Sequence, residues 1–283
     1  MFELLLEKAV EIAKKLNEDH IFVISHEFYD IDDFNGVKIY NIPKKFSNYL
    51  ESMLFSFEKD YDAEKVLGSL IEKSLIAQNI LEYVSSLSFL KNIPLSENCI
   101  MLIDLESYKG LIVSNQKKSR VNKAIQECSD RINPEVLKAI INIAISVSLK
   151  GREGRKIGTA FVIGDVKEVM KRSKQMIINP FEGHPVEVRN IKDPYIWESI
   201  MEFAQLDGVF IVDEEGTIIS AGRYLDVSAT NLDLRPGLGT RHLACAAISQ
   251  ETEAISVVVS ESGGDITIFK DGKELLRISG ILF

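Results

Sequence analysis

The 283-residue sequence is short of long apolar runs, cysteine and positive charge. No apolar stretch approaches the ~18 residues needed to cross a bilayer, and early acidic residues argue against a secretory signal. Three widely spaced cysteines, Cys99, Cys128 and Cys245, predict buried free thiols and no zinc site. The net charge of −9 argues against binding to a nucleic-acid backbone. We therefore expect a cytoplasmic protein that binds neither membrane nor nucleic acid.

Glycine is scarce in the first part of the chain, because residues 1–119 hold 3 of the 17 glycines. A hydrophilic run over residues 115–122 lies where this composition changes. Hydrophobic residues make up 46% and charged residues 27% of the whole, as in globular proteins. These features predict two domains, residues 1–118 and residues 119–283.

The first domain reads as a small α/β unit. Apolar spacing predicts a helix over Phe2–Leu16 and a long helix from an N-cap at Asp62 to about Ser86. Short apolar runs predict strands at 20–25, 37–40, 99–104 and 110–114, in a largely parallel sheet. The sequence assigns this domain no role, and both oligomerisation and regulation remain open.

The second domain is predicted to be a central mixed sheet flanked by helices, so the whole chain is of the α/β class. Expected helices cover 134–149, 165–176, 194–203 and 240–250. Expected strands cover 159–164, 208–213, 217–221, 255–260, 265–269 and a last apolar run to 282. Gly216 allows a tight hairpin turn between two of these strands.

A glycine-containing segment before an alanine-rich helix, residues 237–248, is the strongest candidate for an anion site. The first N–H groups of a helix have no partner within the helix, and the helix dipole favours an anion there. Arg241 supplies a planar donor suited to phosphate, and His242 can donate to phosphate or assist a leaving group. An ordinary glycine loop with a Thr240 cap is the simpler alternative, since the segment does not match the Walker pattern.

Two acidic residues flank this segment in the predicted sheet. Asp207 stands directly before an apolar strand, where a carboxylate could bind a metal or activate a hydroxyl. Ser260 and Glu261 follow another apolar strand, where carboxylates often line a ligand crevice. A turn aspartate and a solvated strand end explain these acids equally well.

Other candidates are weaker. Glu214 and Glu215 form an acidic pair in a predicted turn, where solvation is the simpler explanation. Tyr224 and Leu225 could present a flat apolar wall to a base, or could be core residues. Strand-end Ser25, His26 and Asp104 could form a site in the first domain, although capping and loop solvation explain them more simply. His242 and Cys245 lie at one helix start without an orienting acid nearby in the sequence, so they do not indicate nucleophilic catalysis.

Several motifs together resemble the diadenylate cyclase (DAC, or DisA N-terminal) domain family over about residues 125–275. They are Asp207-Gly208-Val209, Gly239-Thr240-Arg241-His242 and Ser260-Glu261, with supporting stretches at 150–159, 162–165, 179–181 and 221–225. The added N-terminal domain is similar in layout to that of the archaeal DacZ type, which resembles a pyruvate-kinase C-terminal domain.

The resemblance implies that two ATP molecules are condensed into cyclic di-AMP and two pyrophosphates between two facing domains. Asp207, Arg241 and His242 would be catalytic, and Asp207 and Glu261 would hold Mn²⁺ or Mg²⁺. The residues implied to contact ATP are Gly208, Val209, Leu225, Gly239, Thr240, Arg241, His242, Ser260 and Glu261. A homo-oligomer with face-to-face domains follows from this reaction.

The sequence departs from the family pattern at three positions. Val209 replaces the usual alanine, Leu243 replaces the usual second arginine after the histidine, and Ser262 replaces a second acid. A nucleotide-binding or sensing module with weakened catalysis is therefore the second hypothesis. A monomeric ATP hydrolase, which needs a positioned water, is the third.

Overall fold

The computed structural model describes residues 1–57, 63–94, 96–106, 108–151, 156–228 and 232–279. For residues 52–57 and 63–76 it describes the backbone and not the side chains. The chain divides into two compact units, Met1–Lys123 and a second that begins at Ala124. The boundary predicted after residue 118 lies shortly before this division. None of the described helices combines the length and apolar character that a membrane crossing requires.

The first unit contains four helices and five strands within its described residues. The helices are α1 (Phe2–Leu16), α2 (Lys44–Phe57), α3 (Ala63–Lys91) and the start of α4 (Arg120–Cys128). The strands are β1 (His20–Ser25), β2 (Asp33–Phe34), β3 (Val37–Asn41), β4 (Asn98–Asp104) and β5 (Lys109–Asn115). The predicted helix at 2–16 and all four predicted strands are confirmed, whereas the predicted cap at Asp62 lies outside the described residues.

The sheet of the first unit has the order β2-β3-β1-β4-β5. Strand β1 runs parallel to both β3 and β4, but β2 pairs with β3 and β4 pairs with β5 in antiparallel fashion. The prediction of a largely parallel sheet is therefore wrong at both edges. Each of these edge strands is joined to its neighbour by a short link. A short link can connect antiparallel strands but not parallel ones, which need a long crossover. Helix α1 covers one face through Leu6, Ala9, Val10 and Ala13.

The second unit contains a seven-stranded sheet in the order β12-β11-β10-β6-β8-β9-β7. Its strands are β6 (Thr159–Ile163), β7 (Ser173–Gln175), β8 (Val209–Val212), β9 (Ile218–Leu225), β10 (Ile255–Val259), β11 (Ile266–Lys270) and β12 (Lys273–Ile278). Strands β6 and β8 are parallel, and the other neighbouring pairs are antiparallel. The predicted mixed sheet is confirmed.

Four further helices belong to this unit: α5 (Pro134–Lys150), α6 (Val166–Lys171), α7 (Trp197–Phe203) and α8 (Thr240–Glu251). Asn133 caps α5 by accepting a hydrogen bond from Glu135 N. A single 3-10 turn capped by Asp193 precedes α7, which confirms the predicted helix start in outline. Gly216 has φ +95° in the turn between β8 and β9, as the hairpin prediction requires.

The helix predicted over 165–176 is wrong in its second half. Helix α6 ends at Lys171, and residues 173–175 form the edge strand β7 against β9. The guanidinium of Arg223 on β9 stabilises this pairing by donating to the Ser173 hydroxyl (2.9 Å) and carbonyl (2.6 Å). Asp165 is the N-cap residue of α6 but does not cap it with its side chain, because its carboxylate accepts from Glu253 N (3.1 Å).

The three cysteines are buried free thiols, as predicted. Burial in apolar surroundings raises the pKa of each thiol to about 12. A thiol with such a pKa is almost fully protonated at neutral pH and is therefore a poor nucleophile. Cys245 is therefore not a candidate nucleophile in helix α8, although it follows His242 closely in the sequence.

Candidate functional site

A cleft of about 780 Å³ opens at the N-terminal end of helix α8 in the second unit. It brings together six residues that the sequence analysis selected from separate motifs: Gly239, Thr240, Arg241, His242, Ser260 and Glu261. Strand β10 positions the last two, because Ser260 and Glu261 follow directly after its final residue, Val259. The cleft thus joins the helix start to the end of a buried central strand.

The start of α8 presents backbone donors to this cleft. Gly239 is the N-cap, and its carbonyl accepts from His242 N (3.0 Å) and Leu243 N (3.2 Å). The N–H groups of Thr240 and Arg241 have no partner among the described residues. Free N–H groups at a helix start attract an anion, and the helix dipole adds to that attraction.

Arg241 lies close to both residues that are predicted to bind the metal, Asp207 and Glu261. Its Nη2 is 3.8 Å from Asp207 Oδ1, and the Asp207 side chain is 95% exposed. A Cβ atom added to Gly158 would lie 2.8 Å from Arg241 Nη1 and 3.1 Å from Glu261 Cβ. Arg241 and Glu261 therefore flank the same glycine, and a side chain added there would displace the tip of Arg241.

Gly208 allows Asp207 to lie just before the start of strand β8. It has φ +106°, and a Cβ at this position would lie 2.6 Å from Arg223 N and from the Gly222 carbonyl carbon. Any larger residue would collide with the backbone of strand β9. The close approach of two backbones therefore requires glycine here, and it determines where the chain places the carboxylate of Asp207.

Val209 and Leu225 lie apart from this cleft. They are 4% and 5% exposed and pack in one apolar cluster beneath helix α8. Tyr224 is 57% exposed, and successive strand residues point to opposite faces of a sheet. The idea that Tyr224 and Leu225 form one apolar wall is therefore wrong, while a contact between Leu225 and a bound base stays a prediction.

The turn that carries Ser260 and Glu261 is held by its own backbone. Ser260 N donates to the Asp265 carbonyl (2.8 Å), and Gly264 N donates to the Ser260 carbonyl (2.8 Å). The Ser148 hydroxyl of helix α5 donates to the Gly264 carbonyl (2.7 Å). Ser260 and Ser262 place their hydroxyl oxygens 3.2 Å apart, so both can face a ligand in place of the acid expected at residue 262.

His242 is neutral at neutral pH. Burial lowers the pKa of its imidazole, and the positive charges of Arg235 and Arg241 lower that pKa further. Its ring packs edge-on against Phe269, with centroids 6.3 Å apart. A neutral imidazole can donate one hydrogen bond to a phosphate oxygen, but it does not add a positive charge to the cleft.

Four charged residues of the cleft were missed by the sequence analysis: Lys156, Arg235, Asp265 and Arg277. They come from the segment before β6, the loop before α8, the turn before β11 and strand β12. No local motif connects them, because the folding of the sheet alone brings these segments together. A solvent-exposed arginine on an edge strand has no distinctive sequence signal.

The weaker candidates have structural explanations. The Glu214 carboxylate accepts from Asp165 N (2.9 Å), and Glu215 is exposed beside Lys192 (3.7 Å). In the first unit, Asp104 accepts from the Tyr29 hydroxyl (2.5 Å) and forms an ion pair with Lys109. His26 likewise pairs with Glu51. These groups satisfy one another without a ligand.

Comparison with known proteins connects the cleft to a family. Residues 146–274 match the DAC family model, described as DisA bacterial checkpoint controller nucleotide-binding. Residues 4–117 match DacZ_A, described as a probable sensor domain. Each unit of the chain therefore has its own match, and the DAC segment contains all six cleft residues selected from the sequence.

Two curated relatives are named diadenylate cyclase. One, from Methanocaldococcus jannaschii, is 45% identical over 147 residues, which cover 52% of this chain and 46% of that protein. The other, from Haloferax volcanii, is 40% identical over 150 residues, which cover 53% of this chain and 55% of that protein. The chain spans about half the length of these relatives. A crystal structure of DacA from Staphylococcus aureus is 23% identical over 52% of this chain and 88% of its own, with a TM-score of 0.36.

Proposed function

We propose that the chain is a diadenylate cyclase, a nucleotidyltransferase that condenses two ATP into cyclic di-AMP and two pyrophosphates. One observation carries the proposal: Gly239–His242 and Ser260–Glu261 line a single cleft within the segment that matches the DAC family. Relatives that bear the name diadenylate cyclase are 45% identical over 147 residues and 40% identical over 150 residues of the chain.

In this proposal the helix start binds the triphosphate of ATP. The free N–H groups of Thr240 and Arg241 donate to phosphate oxygens, and the Arg241 guanidinium adds a charged bidentate contact. Neutral His242 donates a further hydrogen bond. The Ser260 hydroxyl lies across the cleft, where it contacts the phosphates or the ribose.

Asp207 and Glu261 would hold a Mg²⁺ or Mn²⁺ ion together with phosphate oxygens. In enzymes that act on phosphates, such an ion commonly has one or two protein carboxylates as ligands and takes the others from substrate and water. Asp207 and Glu261, both close to Arg241, fit this pattern. No cluster of three metal-binding side chains occurs among the described residues, in agreement with this sharing. When bound, the ion supplies charge neutralisation for the triphosphate.

The reaction needs two copies of the protein. The 3′-oxygen of one ATP attacks the α-phosphorus of the other, and the bond from that phosphorus to the oxygen bridging the β-phosphate breaks, so pyrophosphate leaves. The hydroxyl proton passes to water by way of the Asp207 carboxylate, and the second bond forms in the same way. Asp207 is almost fully exposed, so a ribose held by a facing copy can reach it. Positioning and charge neutralisation account for most of the rate in such transfers.

The direct test incubates the full chain with ATP and Mn²⁺ and identifies the products by chromatography. Cyclic di-AMP with pyrophosphate supports the proposal, and ADP with phosphate contradicts it. Unchanged ATP favours the second candidate, a binding module with weakened turnover. The observation behind that candidate is that residue 243, where the family carries an arginine, is a half-buried leucine.

Asp207→Asn is expected to abolish product while leaving the fold intact, because the exposed side chain supports no buried contact. Circular dichroism and thermal unfolding would confirm the fold. Complete chelation of divalent metal should also stop the reaction. Full activity after either change would contradict the role assigned to Asp207.

For the first unit we propose a regulatory role, supported by its match to a model described as a probable sensor domain. Its similarity in layout to a pyruvate-kinase C-terminal domain stays a prediction. The cytoplasmic location, the face-to-face homo-oligomer and the absence of nucleic-acid and membrane partners are likewise part of the proposal.

A further inference from the structure

Two arginines outside the family motifs line the same cleft. Arg235 lies in the loop before α8, and Arg277 lies on β12 at the edge of the sheet. Each is held by a carboxylate: Arg235 Nε is 3.1 Å from Glu274 Oε2, and Arg277 Nε is 3.0 Å from Asp265 Oδ2. Both arginine side chains are about two-fifths exposed.

These ion pairs leave donors of both guanidinium groups free. Arg235 uses Nε, so its two terminal nitrogens have no partner among the described residues. Arg277 uses Nε and Nη2, which leaves Nη1 without a partner in the same part of the chain. A guanidinium held on one edge by a carboxylate is oriented in advance and can still bind a phosphate with its remaining N–H groups.

Asp207 does not itself line the cleft: it lies just before strand β8, far across the sheet from β12, which carries Arg277 and the Glu274 that holds Arg235. Strand β12 is four positions from β8 in the sheet, or about 19 Å at the usual strand spacing. The N-terminal end of α8 lies between them, with Arg241 reaching towards Asp207. Besides burial, the positive charges of Arg235, Arg241 and Arg277 each lower the pKa of His242, so all three guanidinium groups lie near that imidazole.

We propose that Arg235 and Arg277 form a clamp for the β- and γ-phosphates of the nucleotide, which are released as pyrophosphate. This inference rests on the proposed function and extends it. With Asp207 and the reacting α-phosphate at one side, the terminal phosphates extend towards the arginines of the other side. The clamp supplies the positive charge that Leu243 does not provide.

The charges lining the cleft agree with this assignment. Lys156, Arg235, Arg241 and Arg277 are positive, whereas Glu261 and Asp265 are negative. The cleft therefore carries a positive excess in a chain whose net charge is −9. Such a local excess attracts a polyanion, and it grows when Asp265 is neutralised.

The test measures equilibrium binding of two ligands, AMP and α,β-methylene-ATP, to the full chain with Mg²⁺. The second ligand carries all three phosphates and cannot release pyrophosphate, so binding is read without turnover. Arg235→Gln and Arg277→Gln should each weaken α,β-methylene-ATP about tenfold and leave AMP binding unchanged. Retained AMP binding shows that each variant is folded.

Asp265→Asn separates the clamp from a merely structural ion pair. If the Arg277–Asp265 pair only stabilised the turn, the two substitutions would have the same effect. The clamp predicts opposite effects, because the amide oxygen introduced by Asp265→Asn still accepts from Arg277 and keeps it oriented while the repelling charge is lost, so α,β-methylene-ATP should bind more tightly. Arg172→Gln removes a surface arginine that pairs with Glu168 and Glu251, and serves as the matched control.

Three results would overturn the clamp: equal weakening of AMP and α,β-methylene-ATP, no weakening of either, or the same change in Arg277→Gln and Asp265→Asn. If the unaltered chain binds α,β-methylene-ATP while the arginine variants bind it normally, the clamp fails and the proposed function stands. If the unaltered chain binds neither ligand, both proposals fail.

Discussion

Gly158 lies beside Arg241 and Glu261, two residues of the cleft, and it does so without unusual backbone geometry. An added Cβ would meet Arg241 Nη1 at 2.8 Å and Glu261 N at 3.2 Å. The arginine tip can move aside, but the strand-end backbone has less freedom. The cost of a methyl group here therefore falls on the position of Arg241 more than on the fold.

Gly158→Ala should accordingly reduce turnover by about 10²-fold, because small displacements of a positioning group are costly in phosphoryl transfer. The free energy of unfolding should change by less than about 1 kcal/mol. Steady-state kinetics and denaturant unfolding measure the two effects. Gly263→Ala adds the same methyl where the nearest atom is 3.6 Å away, so it should have a smaller effect on turnover.

His242 predicts a pH dependence of stability. Burial and the neighbouring arginines hold its folded-state pKa below the ordinary value of 6.5. The unfolded chain therefore binds this proton more readily than the folded chain. The free energy of unfolding is unaffected by His242 above pH 6.5 and decreases as pH falls from there through the folded pKa.

Urea unfolding at several pH values, compared with His242→Gln, isolates this effect. In the glutamine variant the free energy of unfolding should decrease less as the pH falls below 6.5. An identical pH dependence in both proteins would show that His242 is not the titrating group.

At the scale of elements, Glu82 of helix α3 caps the N-terminal end of α4. Its carboxylate accepts from Arg120 N (2.8 Å), Val121 N (3.0 Å) and the Ser119 hydroxyl (2.8 Å). Burial raises the pKa of Glu82, but the hydrogen bonds it accepts from Arg120 N, Val121 N, the Ser119 hydroxyl and Gln78 together lower it by more, so its net pKa lies below the usual value. A distant carboxylate thus adds to the local cap, in which the Ser119 hydroxyl accepts from Asn122 N (3.3 Å).

Glu82→Gln should cost about 1–2 kcal/mol of unfolding free energy, since an amide replaces a charged acceptor of several hydrogen bonds. Chemical denaturation measures this loss. Glu97→Gln alters an exposed ion pair with Lys117 and should have almost no effect. Equal effects of the two substitutions would contradict the capping role.

For the whole molecule, a reaction between two facing copies predicts dependence on protein concentration. Product formed per chain should fall on dilution, because each copy holds one ATP and needs a partner. Binding of α,β-methylene-ATP per chain should stay constant over the same range. Full cyclase activity in protein shown to be monomeric by light scattering would contradict the two-copy mechanism.

The sequence by itself determined most elements and the central motifs. Apolar spacing gave α1 with its observed bounds, and the order of glycine, arginine, histidine and acid indicated the helix-start site. These features are local: the helix period, the strand period and the turn residues act over a few positions. That is why the α/β class and the residues around Gly239 could be read directly.

Tertiary structure decided what depends on distant partners. The residues after Lys171 leave the helix because β9 offers Arg223 and a strand edge, and Leu225 is buried because alternation places it on the core face. Arg235 and Arg277 enter the cleft because the sheet order brings the β12 edge to helix α8. Contacts between residues far apart in sequence leave no local pattern, so the helix-start segment could be predicted as a phosphate site, while the charges that complete the cleft could not.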